Sequence, residues 1–403
     1  MSNSEFAGLS LTPAGDAPGT SSRECSGDTA VPSLSPGWSM VWQQVFEHPI
    51  ALPPEVTDTQ LILLERADPF PGEFRDTVWV LNPQTGAVLW RFDGADNAAL
   101  PVRWIKNMAW SQKYIAVNVH YQKGLRFEIP EEYLVVLDRS SGEVVYTEQV
   151  HVLGMTVSDG AVYYRGEWRE LNRVDLPAGE HRWRMPWKGS FPRGDFVIGS
   201  WLYSFNLDRN VYKLNAADGA LVATATLGIP PILGDVLIED QRAVIRSERD
   251  GVVLFDLQAL RPRWATHVDY LIAKDSNAFW GDIPSMTLTP NALHLFDAMD
   301  NLLQVELASG HIVWRIPSPG AQAISRPIVF HDLVYGLYAD GTLRAYSAAD
   351  GSPVGTVMKV PLWYRIRSDA WAWRSLVGGL DATSDTLIAT TGCRSVYAIQ
   401  RGN

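Results

Sequence analysis

The chain has 403 residues, a hydrophobic share of 46% and 16 Trp, 14 Tyr and 13 Phe, which is ample apolar surface for a large core and excludes general disorder. Its formal net charge of −11 disfavours nucleic acid as a partner, because phosphates are bound by clustered Lys and Arg. No window approaches about 18 consecutive apolar residues, so the sequence predicts no membrane span.

The N-terminal segment, residues 1–36, is rich in Ser, Gly, Pro, Thr and Ala and has almost no aromatic side chain. Such a segment buries too little surface to offset the entropy of ordering, so we expect a flexible leader. It also lacks the basic start and apolar centre of an export signal. One folded domain is expected over residues 37–403, beginning with a strand at Ser39–Glu47 that has no hairpin partner before it.

The stretch Val78–Phe92, VWVLNPQTGAVLWRF, is the first copy of a repeated unit. Two β-branched and aromatic runs are joined by a turn that ends at Gly86, and Trp90 follows four residues later, which predicts a β-hairpin. Six more versions follow at an average spacing of about 44 residues. Their turn positions are Gly142, Gly179, Gly219, Leu260, Gly310 and Gly351.

Two further apolar runs precede most hairpins, so each unit supplies about four strands, named A to D from the first to the last. The chain ends with strands B and C of an eighth unit, Thr386–Gly392 and Arg394–Gln400, but without strand D. The orphan strand Ser39–Glu47 carries the D-strand tryptophan, Trp42. The sequence therefore predicts an all-β, eight-bladed β-propeller of four-stranded antiparallel blades, closed by pairing the N-terminal strand with the C-terminal strand, with seven blades as the alternative.

The repeated frame, a polar residue four positions before the glycine and Trp four positions after it, resembles that of the pyrroloquinoline-quinone-like (PQQ-like) β-propeller repeat family over residues 39–400. The polar position is held by Asn82, Asp138, Asp175, Asn215, Asp256, Glu306 and Ser347. The Trp position is held by Trp90, Trp183, Trp264 and Trp314, and departs to Tyr146, Ala223 and Gly355.

The family resemblance implies the fold more specifically than the function. Its members include quinoprotein dehydrogenases, binding propellers and outer-membrane assembly scaffolds, and the chain is closest in style to the non-catalytic assembly type. The resemblance implies the periplasm or the cell surface, whereas the missing export signal keeps the cytoplasm as the alternative.

No catalytic constellation is evident in the sequence. A quinoprotein dehydrogenase resembling these propellers would need a calcium-held cofactor, a catalytic carboxylate and in most members adjacent cysteines, whereas Cys25 and Cys393 are far apart. Cys25 and Cys393 could form a disulfide bond across the closing blade, or they could be two unrelated thiols. The eight histidines show no metal-ligand spacing, and Asp297–Asn301, DAMDN, fits a turn better than a calcium loop. We expect no catalytic residue, metal or cofactor, with a PQQ-dependent oxidoreductase-like protein as the alternative.

Long connections are expected on one face of the propeller. The B-to-C and D-to-A connections emerge together, and the long ones are residues 66–76, 122–132, 267–282 and 361–375. Their aromatic and arginine content is typical of binding surfaces, although they could instead plug the central channel. The candidate binding residues are Trp363, Tyr364, Arg365, Arg367, Trp371, Trp373, Tyr270 and Trp280. We expect a monomeric, non-catalytic scaffold that binds a protein or glycan there.

Overall fold

The structure is a computed structural model that describes residues 31–51, 54–66, 76–93, 104–121, 131–166, 170–187, 192–206, 208–227, 232–247, 251–268, 286–297, 299–360, 378–390 and 394–402. These residues form eight antiparallel sheets arranged in a ring. The predicted all-β, eight-bladed propeller is therefore confirmed, and the blade count is eight rather than seven. The described part of the chain contains no helix that is long and apolar enough to cross a bilayer.

The strands follow the chain in blade order, after two N-terminal strands, β1 (Ser33–Leu34) and β2 (Trp38–Val45). Blades 1 to 4 consist of β3 (Glu55–Val56), β4 (Leu61–Arg66), β5 (Asp76–Leu81), β6 (Val88–Phe92); β7 (Trp104–Trp110), β8 (Tyr114–Tyr121), β9 (Glu131–Asp138), β10 (Val144–Gln149); β11 (Val152–Val157), β12 (Ala161–Gly166), β13 (Glu170–Asp175), β14 (Glu180–Pro186); and β15 (Pro192–Ile198), β16 (Trp201–Asn206), β17 (Asn210–Asn215), β18 (Leu221–Thr226).

Blades 5 to 7 and the C-terminal strands continue the same order. They consist of β19 (Ile232–Glu239), β20 (Arg242–Ser247), β21 (Gly251–Asp256), β22 (Arg261–Thr266); β23 (Met286–Leu288), β24 (Ala292–Phe296), β25 (Leu302–Glu306), β26 (Ile312–Ile316); β27 (Ile328–Phe330), β28 (Leu333–Leu337), β29 (Thr342–Ser347), β30 (Pro353–Lys359); and β31 (Gly379–Ala382), β32 (Leu387–Thr390), β33 (Ser395–Arg401).

The core lies between neighbouring blades, which stack face to face. The B strands are buried on both sides and read as continuous apolar runs, as in β4, where Leu61 to Leu64 are all buried. The D strands lie at the outer edge and alternate between exposed and half-buried residues, as in β18. The A strands contact one another around the central axis. The repeat therefore divides each blade into an inner edge, a buried middle and an exposed outer edge.

The ring closes in blade 8, where β2 pairs antiparallel with β33, so the sheet order is β2-β33-β32-β31. Trp38 lies opposite Arg401 and Val45 opposite Ser395. The N-terminal strand thus supplies strand D of the last blade, as predicted. It ends at Val45 rather than Glu47 because the chain turns toward blade 1, where the His48 N–H donates to a Glu65 carboxylate oxygen at 2.6 Å.

A fifth strand lies outside blade 7. Ser33 and Leu34 pair antiparallel with Lys359 and Met358 of β30, and the Leu34 side chain packs against the core between blades 7 and 8. This strand falls within the segment for which the sequence predicts a leader. The chain then turns at Gly37, whose φ is 84°, and enters β2. Residues 33–45 therefore bridge the outer edges of blades 7 and 8.

Tryptophans at the repeat position join five of the blades to the blade that follows. The indole N–H of each donates to a backbone carbonyl in the C-to-D turn of the following blade, at 2.8 to 3.3 Å. The donor and acceptor pairs are Trp42 with Pro83, Trp90 with Arg139, Trp183 with Ala216, Trp264 with Leu307 and Trp314 with Ala348. These side chains serve packing between blades, as their identical positions in the repeat predict.

Candidate functional site

The two faces of the ring differ in what their side chains do. The turn face carries the A-to-B and C-to-D connections, and the loop-rich face carries the other two kinds. On the turn face, Asn82 and Asp138 each accept N–H bonds from the next residues of their own C-to-D turn, so their oxygen atoms are committed to the fold.

The predicted binding residues belong to two connections of the loop-rich face. Residues 269–285 and 361–377 lie outside the described residues, and so do Cys25 and Cys393. The structure therefore does not test whether these residues lie together, and their role stays a prediction. The affected positions are Trp363, Tyr364, Arg365, Arg367, Trp371, Trp373, Tyr270 and Trp280.

The acidic DAMDN segment is a turn, as the sequence predicts. One oxygen of Asp297 accepts the backbone N–H groups of Met299 and Asn301, and the other is bound by the Asn301 amide and the Arg315 guanidinium. Asp300 has a φ of 58°, and its carboxylate accepts the Ala323 N–H at 3.1 Å. Within the described part of the chain, no group of three or more His, Cys, Asp and Glu is arranged to hold a metal ion.

A charged cluster joins the A strands of blades 8 and 1. The Asp381 carboxylate accepts the Val56 N–H at 2.9 Å and lies 3.2 Å from the Arg326 guanidinium. Burial raises the pKa of Glu55 to about 7 and also raises that of Asp381, while Arg326 acts in the opposite direction on both. Because these groups bond across the blade boundary, we assign them to the closure of the ring.

A cavity on the loop-rich face lies where blade 2 meets blade 3, and we call it the blade 2–3 cleft. Its volume is about 330 Å³, in the lower range of ligand pockets. Blade 2 contributes the end of β10, and a D-to-A connection of only two residues places His151 at the rim. Blade 3 contributes β12, β13 and β14. The lining residues are Glu148, Gln149, Val150, His151, Tyr164, Gly166, Glu170, Asn172 and Arg184.

The buried carboxylate of Glu132 holds His151 in place at the rim of the cleft. The Glu132 side chain is 9% exposed; one oxygen lies 2.6 Å from His151 Nδ1, and the other accepts the Val152 N–H at 3.2 Å. His120 Nε2 lies 3.4 Å from the first oxygen. Burial lowers the pKa of His120, although Glu132 opposes that change. The contact with Glu132 fixes the orientation of the His151 ring, and it leaves Nε2 as the ring nitrogen that this contact does not use.

The floor of the cleft is organised by Glu148. One of its oxygens accepts the hydroxyl groups of Tyr146 and Tyr164, both at 2.7 Å, and the other lies 3.2 Å from His181 Nε2. Burial, and then the bond to Glu148, raise the pKa of both phenols. The two tyrosines are therefore protonated donors at neutral pH and hold the carboxylate in place.

The outer rim of the cleft is an ion pair within blade 3. The Nε and Nη2 atoms of Arg184 both donate to the same oxygen of Glu170, the first at 2.6 Å, and this bond raises the pKa of Arg184. Asn172 is 2% exposed and lines the cleft, and its amide nitrogen is 3.5 Å from the Glu170 carbonyl oxygen. The cleft is therefore a polar, acceptor-rich site.

Sequence reasoning did not single out the cleft residues. They come from β9, β10, the connection after it and three strands of blade 3, so no short spacing unites them. Glu132, Glu148 and Glu170 are three of 45 acidic residues, and their selection needs the register between strands. The one usable signal was the two-residue connection at Val150 and His151, the shortest between blades that the strand bounds give.

Comparisons with known proteins agree with this architecture, which is that of a ring of interlocked, PQQ-like blades. A sequence profile of the family described as outer membrane protein assembly factor BamB matches residues 37–159 and 167–279, more than half of the chain. The chain belongs to this family. No curated protein sequence matches it in a sequence search.

Solved structures share the fold at low identity. BamB from Moraxella catarrhalis superposes with a TM-score of 0.60 over 90% of this chain and 99% of its own, at 12% identity. The computationally designed Ika8 protein has a TM-score of 0.59 over 89% and 98%, at 11% identity. Dihydro-heme d1 dehydrogenase NirN in complex with DHE has a TM-score of 0.56 over 79% and 68%, at 16% identity. At these identities the likeness shows the fold alone.

Proposed function

We propose that this protein is a non-catalytic scaffold that binds a protein partner through its loop-rich face. The family description, an assembly factor of outer membrane proteins, supports a role in bringing other proteins together. It also supports a location outside the cytoplasm, which fractionation of the source organism would test.

The observation that carries the proposal is the asymmetry between the faces. On the turn face the connections are short, and their polar side chains and the repeat tryptophans bond within or between blades. The loop-rich face has the longer connections, such as the one between β22 and β23, and it holds the polar blade 2–3 cleft. Surplus connection length on one face of a rigid ring is typical of binding propellers.

Site-specific photo-crosslinking in the source organism tests the proposal. A photoreactive residue is placed on the loop-rich face at Gln149 or Gly320, and on the turn face at Ala217 or Ala308; all four positions are exposed. We expect a discrete protein adduct from the loop-rich positions and none from the turn positions. Adducts from the turn face alone, or no adduct from any position, would contradict the proposal.

The alternative, an oxidoreductase-like protein, predicts a different measurement. A bound quinone absorbs in the visible range, and calcium holds it in place. Protein purified from the source organism is therefore examined for visible absorption before and after calcium chelation. A calcium-dependent band would favour the alternative over the scaffold.

A further inference from the structure

We propose that the blade 2–3 cleft binds a cationic side chain, the ammonium of Lys or the guanidinium of Arg, presented by the protein partner. This inference rests on the proposed function and deepens it by naming the chemistry of one contact. Three features of the cleft support it: the charge of the cleft, the acceptors that it leaves unused and the space at its floor.

The cleft carries an excess of negative charge. Three carboxylates, those of Glu132, Glu148 and Glu170, line or back it, against the single guanidinium of Arg184. These three carboxylates outnumber the one guanidinium by two. Because the site lies between two blades and is only partly open to water, this charge is screened less than on an open surface. A cation entering the cleft is therefore favoured over an anion.

Two acceptors in the cleft have no donor among the described residues. Both donor atoms of Arg184 use one oxygen of Glu170, so the second oxygen of Glu170 accepts no hydrogen bond from the described residues. The side-chain oxygen of Asn172, a residue that is 2% exposed, also accepts none within the described ranges.

Unused acceptors select a group that only donates. Lys and Arg present three and five donors and no acceptor, whereas a sugar hydroxyl both donates and accepts. Val150 adds an apolar wall against which the aliphatic part of a long side chain can lie. A metal ion is disfavoured because the carboxylates and histidines of the described residues do not converge on one point.

The floor of the cleft leaves space that a single substitution would fill. Gly166 lines the cleft, and a Cβ atom added there would meet Asn172 Nδ2 at 3.8 Å, which is ordinary van der Waals contact. Its φ is outside the left-handed region, so a larger residue is tolerated by the backbone. A leucine at this position would therefore occupy the cleft without changing its charge.

The test uses small probes on the whole protein, so it needs no protein partner. N-acetyl-arginine amide, N-acetyl-lysine amide and the neutral isostere N-acetyl-citrulline amide are titrated at pH 7.5 while the His151 ring signal is followed by NMR. We expect the two cations to bind with a dissociation constant on the order of 1 mM and citrulline to bind at least about tenfold more weakly.

Paired variants separate the cleft from general electrostatics. Gly166→Leu should weaken binding of the cations at least about tenfold, and Glu170→Gln about fivefold. The controls on the turn face, Gly160→Leu and Glu143→Gln, should change binding less than about twofold. No atom of the described residues lies within 4 Å of a Cβ at Gly160, and Glu143 is exposed.

Four outcomes would overturn the inference. These are no shift of the His151 signal, equal binding of citrulline, unchanged binding by Gly166→Leu, and stronger binding of methyl glucoside than of the cations. The last would assign the cleft to a glycan. A failed titration with a successful crosslink from Gln149 would reject the cationic contact alone, whereas the reverse would reject the proposed protein-binding face.

Discussion

His294 is a buried imidazole without a hydrogen-bonding partner among the described residues. It lies on β24, is 2% exposed and has its ring 5.9 Å from that of Trp314. Burial lowers its pKa to about 4, whereas the unfolded chain has the ordinary value of 6.5. Between these pH values the unfolded state binds the additional proton, so stability falls as the pH decreases.

We therefore expect the free energy of unfolding to lose about 3 kcal/mol to this residue as the pH falls from 7 to 4. His294→Leu removes the titrating group, so its unfolding free energy should depend less on pH over that range. Urea denaturation of both proteins at pH 7, 6, 5 and 4 measures the difference. Parallel pH profiles would show that His294 is not buried in its neutral form.

In most C-to-D turns the glycine provides a positive φ and also leaves space for an aromatic side chain of the preceding blade. Gly310 has a φ of 76°, and an added Cβ would lie 2.6 Å from Trp264 Cδ2 of the preceding blade. Where the preceding blade has Ala223 in place of Trp, the turn position is Leu260, which keeps a φ of 51° and packs into the core between blades 4 and 5. Glycine is thus needed at the turn position chiefly to leave space for the tryptophan ring of the preceding blade.

Three alanine substitutions separate these requirements. Gly310→Ala adds a clash to the backbone strain and should cost more than about 3 kcal/mol of stability. Gly199 has a φ of 57°, but no atom of the described residues lies within 4 Å of a Cβ added there. We therefore expect Gly199→Ala to cost about 1 kcal/mol of stability. Gly160→Ala has neither problem and should be neutral or slightly stabilising. Thermal unfolding checks the order, and an equal loss for the first two would reject the role of Trp264.

Among the elements, β1 and β2 differ in how much the ring depends on them. Strand β2 is the outer strand of blade 8, and its loss would expose the edge of β33, whereas β1 adds two residues to the already complete blade 7. Compared with a variant lacking residues 1–30, deletion of 1–36 should lower the thermal midpoint only slightly. Deletion of 1–47 should unfold or oligomerise the protein.

Thermal unfolding and size-exclusion chromatography of these three truncations provide the measurement. If the variant lacking 1–47 were as stable and as monomeric as the one lacking 1–36, blade 8 would not need β2. The same series tests the predicted boundary between leader and domain at residue 37.

The sequence predicts elements well where a local pattern defines them. The turn glycine and the tryptophan after it identify the C-to-D hairpins, and the unmatched Trp42 identifies the closing strand. Strand β1 was not predicted because its two residues, Ser33 and Leu34, are too few to form a pattern. Their pairing depends on the edge of β30, more than 300 residues away. Local patterns encode hairpins, but long-range pairing of short segments needs the folded ring.

At the scale of the whole molecule, the fold follows from local sequence patterns, whereas the site depends on contacts between distant segments. Repetition makes the ring predictable, because each blade repeats one solution for burying its neighbours. The cleft depends on departures from the repeat, such as His151 in a short connection and Gly166 at the end of β12. The stacking of blade 2 on blade 3 decides which of these residues lie next to each other. The sequence alone therefore did not indicate the cleft.

The sequence assigns Trp371 and Trp373 to the loop-rich face. If they contact a partner, replacing both by Ala should leave the thermal midpoint unchanged and abolish the crosslinked adduct from Gly320 or Gln149. If they instead fill the central channel, the same change should cost several kcal/mol, as expected for emptied aromatic sites. Trp110→Ala is the matched control, because Trp110 is 37% exposed and ends β7 at the turn face. If Trp110→Ala also lost the adduct, the loss in the double variant would reflect general damage to the fold. If the double variant kept both its stability and the adduct, both roles would be refuted.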